Sequence, residues 1–125
     1  MTGITGIDDS FFGQMKFPGN VFAQFDCGFR TPFRTQMEII GSEGTIAIPA
    51  PFKPGLNEKI TLSRADSIEI LEIPAQELYI GEVEDMADCI LTGKTQRVSL
   101  SDSRANIATI TALLESAKTG QPVQL

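Results

Sequence analysis

The fold of this chain is decided by the stretch Met37-Glu-Ile-Ile-Gly-Ser-Glu-Gly-Thr-Ile-Ala-Ile48, in which two β-branched runs flank a short Gly-Ser-Glu-Gly connection. Glycine adopts a positive φ without steric cost, so Gly41 and Gly44 allow the chain to reverse tightly between the two runs. The pattern therefore predicts a β-hairpin, against which the strands before and after it can be laid.

Two further strands are predicted before this hairpin. Apolar residues alternate with polar ones over 11–17 and over 21–29, and the segment 18–20 (Pro-Gly-Asn) is typical of a turn. A three-residue loop pairs Phe17 with Val21 and places both apolar sets on one face, whereas a two-residue loop would put them on opposite faces. We therefore expect a loop of three residues.

A second strand pair and a helix are predicted after the central hairpin. Residues 59–64 and 67–73 have the composition of strands and flank a turn at 65–66. Past Pro74 the apolar period changes from two to about 3.6, which predicts a helix over 81–92 that ends at Gly93. The group Glu82, Glu84, Asp85 and Asp88 is interpreted as structural, because negative charge is favoured at a helix start.

A longer second helix is predicted over residues 103–119. Asp102 is expected to be its N-cap and Gly120 its end. Ile107, Ile110 and Leu114 recur at helical spacing, so we expect them to be buried against the sheet. Residues 123–125 are interpreted as a short edge strand.

Strands followed by helices are typical of the α+β class. We expect one domain over 1–125, with a loose segment at 1–10 and an antiparallel-rich open sheet that carries the helices on one face. The other face is left open for oligomerisation, because two helices cannot cover both faces of five or six strands. We predict a homo-oligomer that buries Phe22 and one of Met37 or Ile39.

The composition excludes several classes of function. A net charge of -6 without any basic run argues against nucleic acid, and no apolar run approaches the ~18 residues that span a membrane. The first residues lack the pattern of a signal peptide, so a cytoplasmic location is expected. The absence of histidine and the wide separation of Cys27 and Cys89 argue against a metal site.

The polar stretch with the strongest indication of a binding function is 30–36, where Arg30, Arg34 and Gln36 surround an apolar Pro-Phe pair. Guanidinium groups and an amide bind sugar hydroxyls or a carboxylate, so these three are the candidate substrate-binding residues. The alternative is an ordinary solvated loop at the sheet edge. No nucleophile triad is present, and no catalytic residue is predicted.

Several segments in order carry a family resemblance: 17–23 around its glycine turn, 38–46 with its Gly-Ser-Glu-Gly connection, the helix in 79–93, and the last helix from 101 to 120. Together they resemble the C-terminal domain of the Gfo/Idh/MocA family of NAD(P)-dependent oxidoreductases, and its dihydrodiol/xylose dehydrogenase-like branch in particular. The resemblance covers about residues 11–125.

This resemblance implies a parent enzyme that moves hydride between NAD or NADP and a sugar or polyol, and that forms dimers or tetramers through this domain's open sheet. The chain has no Gly-x-Gly-x-x-Gly unit, no Glu-Lys-Pro segment and no histidine, so no catalytic or cofactor-binding residue of the family carries over. We interpret it as an inactive C-terminal fragment whose Rossmann domain would lie upstream of Met1.

Two alternatives to the fragment interpretation remain open. The chain could be a free-standing α+β dimerisation module whose sheet is a subunit contact. It could also be a small-ligand binding domain that uses the 30–36 edge and has no redox activity.

Overall fold

The structure, a computed structural model, describes residues 6–74 and 77–125, which fall into two compact units. The first unit combines Met1–Pro32 with Val98–Leu125, and the second unit is Phe33–Arg97. In chain order the elements are β1 (Ser10–Phe17), β2 (Val21–Gly28), β3 (Met37–Ile40), β4 (Thr45–Ile48), β5 (Asn57–Arg64), β6 (Ser67–Pro74), α1 (Ile80–Thr92) and α2 (Leu100–Thr119).

The first unit contains the β1–β2 hairpin, in which the two strands pair antiparallel through the turn Pro18–Asn20. Phe17 pairs with Val21, so the predicted three-residue loop and its register are confirmed. Alternation along the strands places the larger apolar set on one face, as expected. This set is Phe11, Met15, Phe17, Val21, Ala23, Phe25 and Cys27.

Helix α2 contacts that apolar face of the hairpin through Leu113. Gly13 is buried, and a Cβ built there would lie 3.4 Å from Leu113 Cδ2 and 2.6 Å from Phe25 Cε1. Glycine at this position therefore allows β1 to approach both the Phe25 ring and the helix. The predicted stripe is wrong, because Ile107, Ile110 and Leu114 are all exposed.

The second unit contains a four-stranded antiparallel sheet in the order β3-β4-β5-β6, and the predicted central hairpin and second strand pair are confirmed. The register defines two faces. The apolar face carries Met37, Ile39, Ile46, Ile48, Ile60, Leu62, Leu71 and Ile73, and the mixed face carries Ile40, Thr45, Ala47, Thr61, Ser63, Ile68 and Ile70.

Glycine is required in the central hairpin for a reason other than the predicted one. Neither Gly41 nor Gly44 has a positive φ. A Cβ on Gly44 would instead lie 2.4 Å from the carbonyl oxygen of Ser63, on the neighbouring strand. The close approach of two backbones therefore dictates this residue.

Both helices end as predicted, but α2 begins earlier than expected. Gly93 and Gly120 adopt the left-handed conformation and close α1 and α2. The N-cap of α2 is Ser99, whose Oγ accepts the Asp102 N–H at 3.0 Å, so the prediction of Asp102 as the cap is wrong. Ser99 supplies the same capping chemistry one turn earlier.

The α+β prediction is confirmed, since the elements form antiparallel sheets and two helices. The strands divide into two sheets rather than one, and the segment between β2 and β3, which includes Pro32, belongs to neither sheet. The predicted edge strand at 123–125 does not form. None of the described helices is long and apolar enough to cross a membrane.

Apolar side chains remain accessible throughout the described part of the chain. No hydrophobic residue described is buried, and those of both sheets and both helices include many that are more than half exposed. Much of the apolar surface of each unit is therefore not covered by the described part of the chain.

Candidate functional site

Arg30, the first predicted substrate-binding residue, follows directly after β2 in the first unit. Its Nε is ion-paired to Oδ2 of Asp9, and the Phe29 N–H donates to the Asp9 carbonyl at 2.9 Å. Asp9 precedes β1 and Arg30 follows β2, so the two meet at the open end of the hairpin, where Asp9 orients the guanidinium group. The register is the signal that would have found Asp9, because extending the Phe17–Val21 pairing outward puts it opposite Phe29.

Arg34 and Gln36 lie in the second unit, in the segment that leads into β3. Both residues are exposed. Arg30 therefore lies in a different unit from Arg34 and Gln36. All three stay predicted substrate contacts.

A shallow cavity of about 190 Å³ lies beside the Asp9–Arg30 pair in the first unit. The ring of Phe29 borders it and is 92% exposed, and the Oδ1 atom of Asp9 is buried without a hydrogen-bond partner among the described residues. Carboxylates accept hydrogen bonds from hydroxyl groups, and aromatic rings offer an apolar surface. The cavity is lined by Asp8, Asp9, Ser10, Phe11, Cys27, Gly28 and Phe29.

A second depression of about 300 Å³ lies on the apolar face of the second unit, beside the turn of the central hairpin. Its floor is formed by Ile39, Ile46 and Leu62, and its rim by the 41–44 turn and Arg64. An apolar floor with a polar rim is typical of a surface that receives another protein side chain.

The predicted interface residues are exposed but lie in both units. Phe22 projects from the hairpin face opposite α2 and is 68% exposed, with the Lys16 ammonium 5.8 Å from its ring centre. Met37 and Ile39 both lie on the apolar face of the second unit. Their participation in a subunit contact stays a prediction.

Two acidic residues of α1, Asp85 and Asp88, have structural partners. Asp85 accepts the Arg97 backbone N–H at 3.0 Å, and Asp88 accepts from Lys94 Nζ at 2.9 Å. Both contacts tie the segment after α1 back to the helix. Within the described ranges, no cluster of acidic residues and cysteines has the arrangement of a metal site.

Comparison with known proteins identifies relatives along nearly the whole chain. Residues 2–125 match the model GFO_IDH_MocA_C, described as "Oxidoreductase family, C-terminal alpha/beta domain". The D-xylose 1-dehydrogenase (NADP(+)) 2 of Haloferax volcanii is 26% identical over 122 residues, 96% of this chain and 38% of that protein. The D-xylose 1-dehydrogenase [NADP(+)] of Haloarcula marismortui is 23% identical over 112 residues, 90% of this chain and 31% of that protein.

The fold is shared with KijD10, a 3-ketoreductase from Actinomadura kijaniata solved in complex with TDP-benzene and NADP. A variant of that enzyme superimposes with a TM-score of 0.75 at 20% identity, over 94% of this chain and 35% of the other. The open conformation gives a TM-score of 0.72 at 21% identity, over 79% of this chain and 32% of the other. The chain thus spans roughly a third of the length of these relatives.

Proposed function

The chain belongs to the oxidoreductase family whose C-terminal alpha/beta domain matches it from residue 2 to residue 125, and on that premise we propose a function. It forms the substrate-side and oligomerisation domain of an NADP-dependent oxidoreductase that acts on a sugar or polyol. The observation that carries the proposal is the match over the whole chain. Two relatives named as NADP-dependent D-xylose dehydrogenases support the substrate class and the cofactor.

The residues present do not fit the pyrophosphate of NADP. Dinucleotides are held at the start of a helix that follows a glycine-rich turn in a parallel βαβ unit. Here every pairing between the described strands is antiparallel. Helix α1 follows Tyr79 and carries Glu82 in its first turn, and the start of α2 is occupied by Ser99 and Asp102. We therefore assign the nucleotide to the part of the enzyme outside this chain.

Arg30 is the substrate-contact residue best supported by its surroundings. The carboxylate of Asp9 binds its Nε, and the two terminal nitrogens of the guanidinium group carry further N–H donors. Sugar hydroxyls accept such hydrogen bonds, and the exposed Phe29 ring beside the cavity offers a surface for the apolar face of a sugar ring.

Sugar binding to the chain tests this assignment. Saturation-transfer NMR with D-xylose and a panel of hexoses should show contact with the wild type, and Arg30→Gln should remove it. Arg97→Gln is the matched control, because Arg97 is also held by an aspartate but lies in the other unit. Equal saturation transfer to the wild type and Arg30→Gln, or none to the wild type, would contradict the assignment.

The cofactor assignment has its own measurement. Titration calorimetry of the chain with NADP and NAD should give no heat of binding at nucleotide concentrations up to about 1 mM, a range that detects weak specific binding. Micromolar binding of either nucleotide would show that the chain holds the cofactor itself.

The oligomerisation role rests on apolar side chains that the chain leaves exposed. A homo-oligomer would cover Phe22 on the hairpin face opposite α2, and Met37 or Ile39 on the apolar face. Light scattering should show a dimer or larger species that Phe22→Glu weakens. Phe52→Glu is the control, since Phe52 is equally exposed but lies outside every strand. A Phe22→Glu chain that associates like the wild type would remove Phe22 from the interface.

A further inference from the structure

Strand β6 forms an edge of the second-unit sheet. It is the last strand in the order β3-β4-β5-β6, and all eight of its residues, Ser67–Pro74, pair with β5. Its outer edge pairs with no strand among residues 6–74 and 77–125. Such an edge presents a row of backbone donors and acceptors to any further strand.

The hairpin register determines which backbone groups of β6 point outward. Arg64 and Ser67 close the two-residue turn at 65–66, and the closing pair of such a hairpin is hydrogen-bonded. Hydrogen-bonded and non-hydrogen-bonded pairs then alternate along an antiparallel ladder. The residues whose N–H and C=O groups point away from β5 are therefore Ile68, Ile70 and Glu72, followed by Pro74, which has no N–H.

These outward groups form a set that is symmetric about Ile70. We propose that the outer edge of β6 pairs antiparallel with the same edge of a second copy of this chain, about a twofold axis at Ile70. Ile70 of each copy then lies opposite Ile70 of the other, and Ile68 lies opposite Glu72. In this register each of the three residues donates one hydrogen bond and accepts one, and none of their backbone groups stays unpaired.

The charges on β6 are compatible with a second copy at the edge. Glu72 lies 3.0 Å from Lys59 Nζ, and Glu69 lies 3.8 Å from Arg64 Nη1. Both carboxylates thus have a cation on their own sheet, and the proposed register places neither opposite its own copy. The charge of each carboxylate is therefore offset by a cation on its own sheet.

The side chains of β6 also favour this contact. Ile68 and Ile70 are 74% and 61% exposed on the mixed face, and pairing brings the isoleucines of both copies side by side. The usual protections of a sheet edge are lysines, internal prolines and bulges. Before Pro74, β6 has no proline or lysine, and its ladder with β5 is continuous.

The edge contact is distinct from the contact proposed for Phe22, Met37 and Ile39. It uses the backbone of β6, and it does not depend on any enzymatic activity of a longer protein. β3 offers a less complete alternative because it has only four residues, Met37–Ile40. A single strand pair buries less surface than a standard interface of about 1,600 Å², so we expect a dimer that forms only at high concentration.

Substitution of Ile70 by proline distinguishes this strand-edge contact from any other subunit contact. The Ile70 N–H points away from β5, so Ile70→Pro removes an intermolecular donor and leaves the hairpin ladder intact. In sedimentation velocity from ten micromolar to one millimolar, we expect the wild type and Ile70→Val to dimerise, and Ile70→Pro to do so at least tenfold more weakly. A monomeric wild type over this range, or unchanged association of a folded Ile70→Pro, would overturn the proposal.

Disulfide trapping tests the register and needs no proline. In a chain with Cys27→Ser and Cys89→Ser, Ile70→Cys should oxidise to a covalent dimer, since the two copies of residue 70 form a hydrogen-bonded pair with Cα atoms about 5.5 Å apart, within disulfide reach. Leu71→Cys is the control, because in this register the two copies of residue 71 are offset by two residues and do not lie opposite each other. Absence of an Ile70→Cys dimer, or equal trapping of Leu71→Cys, would overturn the proposal even if Ile70→Pro fails to fold.

Discussion

The two units of this chain differ in the surroundings of their sheets. In the first unit, the β1–β2 hairpin brings its apolar face against α2, with Gly13 allowing the approach. In the second unit, the four-stranded sheet keeps Ile39 exposed on its apolar face and Ile40, Ile68 and Ile70 exposed on its mixed face. Phe17 and Val21 on the apolar face of the hairpin are exposed as well, so neither unit covers its apolar face completely.

The two units also require glycine for different reasons. Gly13 faces side chains, namely the ring of Phe25 and the end of Leu113, whereas Gly44 faces the backbone carbonyl of Ser63. Side chains can rotate away from an added methyl group, but a backbone in a ladder cannot move without breaking hydrogen bonds. The second unit should therefore be the less tolerant of a methyl group at its glycine.

The largest effect is expected for Gly44→Ala. The new Cβ would lie 2.4 Å from the Ser63 carbonyl oxygen, so β4 and β5 must separate. We expect a loss of about 2–4 kcal/mol in the free energy of unfolding, measured by urea denaturation. Gly41→Ala is the control, with its nearest contact at 3.6 Å, and should cost less than about 0.5 kcal/mol. Equal losses at both sites would contradict the backbone explanation.

Gly13→Ala should have a smaller effect, and one that a second substitution relieves. The added Cβ would lie 2.6 Å from Phe25 Cε1, so the ring must rotate, at a cost of about 1–3 kcal/mol. Phe25→Leu in the same chain removes the clashing atoms. Urea denaturation of the double variant should show less than additive destabilisation. Strict additivity would mean that Gly13 and Phe25 are not in contact.

Substitution of two adjacent leucines measures how much the contact of α2 with the hairpin contributes to stability. Leu113 lies beside Gly13, whereas Leu114 is 48% exposed, so Leu113→Ala should cost about 1–2 kcal/mol and Leu114→Ala clearly less. Thermal unfolding followed by circular dichroism compares the two. The reverse order would restore the stripe predicted from the sequence.

The start of α2 should give the smallest difference. Ser99→Ala removes the oxygen that accepts the Asp102 N–H and should cost about 1 kcal/mol. Asp102→Ala keeps the Ser99 cap and loses only the favourable charge near the helix start, a few tenths of a kcal/mol. Helix content and unfolding free energy of the two variants decide between the caps, and a larger loss in Asp102→Ala would favour Asp102.

The sequence predicts the candidate site as a segment of the chain, and it does not predict how the side chains of that segment are arranged. Arg30 was identified because its residue type and its neighbours suit polyol binding, but its partner Asp9 was not, since the two lie 21 residues apart in the sequence. Arg34 and Gln36 were identified by the same reasoning, and their arrangement with Arg30 depends on how the chain between β2 and β3 runs. Residue type identifies candidate groups, whereas their assembly depends on pairing over long sequence distances.

The sequence by itself determined the strands, the three-residue loop with its Phe17–Val21 register, and the glycines that end both helices. These features follow from alternation and turn chemistry, which act over a few neighbouring residues. Only the tertiary structure decided that Gly44 faces Ser63, that Leu113 rather than Leu114 meets the hairpin, and that the strands form two sheets. Those outcomes depend on which segments, distant in the sequence, come close together in space. Local periodicity does not reveal which segments these are.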